Sequence, residues 1–79
     1  MKISVIKKLV ETHSLQELEA AEAAIAEELQ PEINIEGEDE GEQLTHAYAA
    51  MQIKASMEDG QDFKTALRTY TSRVRNSIS

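Results

Sequence analysis

Two histidines and a dense run of carboxylates are the residues in this chain whose types could do chemistry. Glu42 and His46 are four apart, so on a helix they share a face. A carboxylate and an imidazole on one face can begin a metal site. Di-iron bundles, however, use Glu-x-x-His at three, with further carboxylates from facing helices. The residue three before His46 is Gln43, so a site on Glu42 and His46 needs ligands from a second subunit. His13 is the other imidazole and stands beside a helix start.

The acidic run EGEDEGE, residues 36–42, invites a calcium reading. An EF-hand loop wants acids at positions one, three and five, Gly at six and Glu at twelve. With Gly41 at six, Glu36, Glu38 and Glu40 fall into place, but position twelve is Ala47, which has no ligating oxygen on its side chain. With Gly37 at six, Glu32, Asn34 and Glu36 fall into place and position twelve is Gln43. Neither register makes an EF-hand. A looser divalent-cation site on Glu36, Glu38, Asp39, Glu40, Glu42 and His46 is the secondary reading, and a solvated charge run is the first. Cysteine is absent, which excludes disulfides, thiolate metal sites and cysteine nucleophiles. No H-E-x-x-H, phosphate-cradling glycine loop or nucleophile elbow occurs. No catalytic residue and no cofactor is assigned, and the chain reads as a non-enzyme.

Four helical segments must position these residues. Residues 15–29 carry the plainest signal: Ser14 and Glu17 form a capping box, and Leu15, Leu18, Ala21, Ile25 and Leu29 recur at helical spacing. Pro31 closes that segment. Residues 40–58 start behind Asp39, with Glu42 three later, and end at Asp59-Gly60. Leu44, Tyr48, Met51 and Ala55 form one stripe, widened by Ala47, Ala50, Ile53 and Met57. A stripe so wide implies more than one neighbour. Residues 62–77 align Phe63, Leu67, Tyr70 and Val74, with Lys64, Arg68 and Arg75 on another face. Residues 4–12 give a short helix capped by Ser4. The acidic connector, 30–39, holds Ile33 and Ile35 in alternation, so a small strand pairing with Ile3 and Val5 is a minor alternative.

The fold class is therefore all-α: one domain, residues 1–79, packed as a small helical bundle. A chain of 79 residues buries only about 60–65% of its unfolded surface, so its core is economical or shared. The wide stripe makes Tyr48, Met51, Ile53, Met57, Phe63 and Tyr70 the candidate interaction residues. The expected partner is a second copy, in a homo-oligomer, or another protein.

Charge is segregated along the chain. Residues 1–10 carry three bases and no acid, 11–42 twelve acids and no base, 43–62 one base and three acids, and 63–79 four bases and no acid. The sum is −7. The first reading is internal complementarity, basic ends against acidic middle. The second is docking of a basic partner or of another copy. The overall negative charge argues against nucleic acid and anionic membranes as partners. The chain opens on Met and reads as complete. It shows neither the apolar core of about 7–15 residues that a secretory signal needs nor the roughly 20 of a membrane span, so a cytoplasmic location is expected.

Three stretches, MKISVIKKLVETHS, EGEDEGEQLTHAYAAMQI and DFKTALRTYTSRVRNSI, together resemble a family of short, uncharacterised bacterial proteins of about this length. The resemblance implies a prokaryotic cytosolic protein with an all-helical domain. It implies no catalytic or binding residue.

Overall fold

The computed structural model describes residues 2–78. Four helices follow one another: α1 (Ile3–Thr12), α2 (Leu15–Ala26), α3 (Glu40–Glu58) and α4 (Phe63–Ile78). The described residues contain no strand. The molecule is an all-α small helical bundle with α3 at its centre, packed against α1, α2 and α4 in turn.

Small side chains explain why α3 can serve three neighbours. Its buried residues are His46, Ala47, Ala49, Ala50 and Ile53. At 3.6 residues per turn they span about 160° of the helix circumference. Three alanines on that arc let neighbouring backbones come close. The stripe expected to lead, Leu44, Tyr48, Met51 and Ala55, lies at the margin instead, and Tyr48 is 43% exposed. Size, not hydrophobicity alone, selects the face that three helices can share.

One hydrophobic core draws on all four helices. Val5, Ile6, Leu9 and Val10 enter from α1, Leu18, Ala21 and Ile25 from α2, and Ala66 and Tyr70 from α4. Ile35 of the connector is buried with them, and Ile33 packs against the same core. The alternative pairing of Ile3 and Val5 with Ile33 and Ile35 does not form. Residues 3 and 5 belong to α1, where helical spacing buries four apolar side chains that a two-stranded ribbon would divide between its faces. Helix α1 also starts at Ile3 behind Lys2, which has no side-chain cap bond, so Ser4 is a helix residue and not the expected cap.

The ends of α1 are instead closed by α3. The Lys2 backbone N–H donates to His46 Nε2 at 2.9 Å. Lys54 Nζ donates to the Val10 carbonyl at 3.0 Å, supplying the cation that the last turn of α1 lacks. Both ties join residues 44 apart, so α1 and α3 lie side by side and run in the same direction. Lys7 adds a lighter tie to α4, 6.0 Å from the Phe63 ring centroid.

Helix α2 stops earlier than its apolar pattern suggests. The segment expected to reach residue 29 ends at Ala26, because Glu28 turns left-handed at φ 63°. Leu29 N–H then donates to the Ala24 carbonyl at 2.8 Å and Glu28 N–H to Ile25 at 2.9 Å. These are the two bonds of a Schellman cap, with Glu where glycine is usual. Leu29 leaves the stripe and is 59% exposed. Helix α3 ends in the same cap, but there the left-handed residue is Gly60, at φ 106°, as its sequence suggests.

A left-handed non-glycine residue costs on the order of 1 kcal/mol. Glu28→Gly removes that cost but widens the unfolded ensemble, so a net gain of about 0.5 kcal/mol is expected. Urea denaturation reads it as a higher midpoint at unchanged slope. An unchanged or lower midpoint would show that the Glu28 side chain earns more than its backbone loses.

Candidate functional site

The acidic connector meets α3 at His46, and this junction is where the candidate metal ligands were expected. Asp39 caps α3, its Oδ1 accepting from the Glu42 N–H at 2.8 Å. Glu42 reaches back, and its Oε1 accepts from the Glu38 N–H at 2.9 Å. Gly37 lies so close to α3 that a Cβ there would sit 2.7 Å from Gln43 Cγ and 2.8 Å from Gln43 N. This close approach brings the Glu36 carbonyl over the helix. His46 Nδ1 lies 2.7 Å from that carbonyl.

His46, offered by its spacing to Glu42 as a metal ligand, is fully buried. Its spacing to Ala50, Ile53 and Met57 puts it on the buried stripe, and that signal was available. Each ring nitrogen has one backbone partner. Nε2 accepts from Lys2 N–H, so Nδ1 carries the proton and donates to Glu36. This assigns the neutral Nδ1–H tautomer. The imidazole joins the start of α1 and the connector to the centre of α3. It offers no lone pair to a cation unless the Lys2 bond breaks.

The other candidate ligands do not converge with it. The side chains of Glu36, Glu38, Asp39 and Glu40 are exposed. The carboxylates of Asp39 and Glu42 bind backbone N–H groups at the helix start. Among the described residues, no three His, Asp or Glu side chains are arranged to hold a metal ion. Among the described residues no ion pair joins α2 or the connector to α4, while Lys2 at the basic start of the chain adds to the lowering of the Glu42 carboxyl.

The candidate interaction residues divide into three groups by burial. Ile53 is fully buried and Tyr70 nearly so; these two are core and not docking groups. Met51, Met57 and Phe63 are half-buried against that core. Tyr48 alone presents a large exposed face. Its ring lies 6.3 Å from that of Tyr70, tilted by 57°. Burial, and then the neighbouring Tyr48, push the Tyr70 phenol above its ordinary value.

A second feature, on α2, was not expected. Because α2 ends at Ala26, the connector folds back along it and leaves a groove of about 490 Å³. Ala20, Ala21 and Ala24 line it from α2, and Leu29 and Ile33 from the connector. Glu17 and Glu32 edge it, and Glu28 lines the adjoining depression, which shares Leu29, Glu32 and Ile33. The early Schellman turn that creates it has no glycine to announce it.

No membrane-crossing helix occurs among the described residues: none is long and apolar enough.

Replacing His46 with Phe keeps the ring volume and leaves the Glu36 carbonyl and the Lys2 N–H without their partner. An unsatisfied buried group costs about 1–3 kcal/mol, and both bonds are part-buried, so a loss in the lower part of the summed range, about 2–4 kcal/mol, is expected in urea denaturation. A loss below about 1 kcal/mol would show that water replaces both bonds.

Three carboxylates are held below their ordinary values at helix starts: Glu17 by the Ser14 N–H, Glu42 by the Glu38 N–H, and Asp62 by the Thr65 N–H. A depressed folded-state pKa stabilises above the unfolded value, near pH 4, and the effect is lost as pH falls through the folded value. The triple variant Glu17→Gln, Glu42→Gln, Asp62→Asn should therefore melt below the wild type at neutral pH. The difference should shrink as pH falls below about 4 and be lost once pH passes below the lowered folded-state values. A difference independent of pH would refute the ionic contribution.

No curated protein and no solved structure matches the chain. A family model matches residues 1–79, and its description is "Family of unknown function (DUF6952)".

Proposed function

The chain belongs to that family, and we propose that it is a cytoplasmic, non-enzymatic protein–protein interaction module that self-associates or docks a partner protein through surface charge. The observation that carries the reading is the separation of opposite charges over one closed core. Twelve acids and no base lie in residues 11–42, which supply α2 and the connector. Four bases and no acid lie in residues 63–79, which supply α4. Such surfaces steer association and set partner choice more than they set affinity. The α2 groove adds apolar contact between acidic edges, the combination that a basic amphipathic segment fits.

The buried arc of α3 is used internally by α1, α2 and α4, which leaves α2 and the connector as the docking surface of this reading. His46 supports binding over catalysis, since both ring nitrogens are committed to backbone groups.

Affinity capture from the native cell tests the reading. Tagged wild type is compared with the variant Glu27→Gln, Glu28→Gln, Glu32→Gln. The expected result is at least one protein retained by the wild type, lost with the variant and released by high salt. Identical captures by both would refute a role for the acidic face.

A further inference from the structure

We infer that the α2 groove receives helix α4 of a second copy of this chain. The inference rests on the interaction-module reading and names its partner. Three observations lead to it. First, the two charged surfaces are not paired within one molecule: α2 and α4 each pack on α3, and among the described residues no ion pair joins α2 or the connector to α4. The complementarity written into the chain is therefore available between molecules.

Second, α4 has the form of the ligand that the groove fits. Lys64, Arg68 and Arg75 follow at intervals of four and seven, so they share one face over about 16 Å of helix. All three are exposed. That face lies away from Ala66 and Tyr70, the two residues that seat α4 in its own core. From Ser72 to Asn76 every side chain is exposed, and Val74, at 37%, puts an apolar group at the edge of the basic face.

Third, the groove suits a helix. Its alanine floor permits close backbone approach, Leu29 gives it an exposed apolar wall, and Glu28 and Glu32 stand where bases on an incoming helix would find them. The contact is heterologous: each copy offers one groove and one basic helix. Two copies can exchange both contacts, or copies can add head to tail.

Light scattering behind size-exclusion chromatography tests the inference at about 20 mM and about 500 mM NaCl, either side of strong screening. The wild type should exceed the 8.8 kDa of one chain at low salt, increasingly with concentration, and return to it at high salt. Arg68→Glu with Arg75→Glu should give a monomer, as should Glu28→Lys with Glu32→Lys. Mixing the two variants should restore association. A wild type that stays at 8.8 kDa overturns the inference, as does failure of the mixture. If a variant does not fold, carbodiimide cross-linking of isotope-labelled with unlabelled wild type reads the same contact. Mixed-label links from Lys64 to Glu28 or Glu32 support it, and links only within one chain overturn it. A monomer whose acidic face still captures a cellular protein refutes the second copy as partner and leaves the interaction-module reading standing.

Discussion

Everything in this fold depends on how closely three helices can approach α3. Ala47, Ala49 and Ala50 give them room, and Ile53 fills the space that remains. Close packing of small side chains has no direction of its own, so a bundle this small also needs bonds that set register. Helix α3 provides these. His46 fixes the start of α1 and the connector, and Lys54 fixes the end of α1. The tilted pair of Tyr48 and Tyr70 lies at the contact with α4. Each is a small contribution to stability, of order 1 kcal/mol. Together they choose one arrangement from the many that an alanine surface would accept.

The same economy explains the carboxylates. The acids at the start of α3 look like a ligand set when read along the chain. In space, Asp39 and Glu42 satisfy backbone N–H groups that would otherwise lack partners. The chain uses its chemistry-capable residues to end and join helices. The exposed charge is divided between α2 with the connector, which carry acids, and α4, which carries bases.

The periodic helices were legible because local rules and tertiary packing agree there. The capping box at Ser14 and Glu17, the Asp39 cap and the Gly60 stop all lie where their residue types suggest. Three features were not legible, each for a physical reason. The end of α2 depends on Glu28 adopting a conformation that its side chain disfavours. The leading face of α3 was misjudged because hydrophobicity ranks Tyr48 and Met51 above Ala49, whereas crowding favours the smaller residue. The role of His46 needs a carbonyl ten residues away and an amide 44 residues away, and no local pattern encodes either. Of the candidate site, the acids of the connector were visible as charge, but their engagement with the backbone was not. The α2 groove exists only because of the early turn, so it was equally hidden.

The constant separation of 44 between α1 and its partners on α3 has a consequence for synthesis. Helix α1 is made before α3, yet the groups that complete both of its ends arrive 44 residues later. Ten residues are too few to hold a helix alone in water. Until α3 packs on it, α1 is therefore an unfinished segment with four apolar side chains waiting for cover. Lys2 before it, Lys7 and Lys8 within it and the lack of acids up to Val10 keep that waiting segment charged. The basic start of the chain thus serves the nascent polypeptide as well as the folded one.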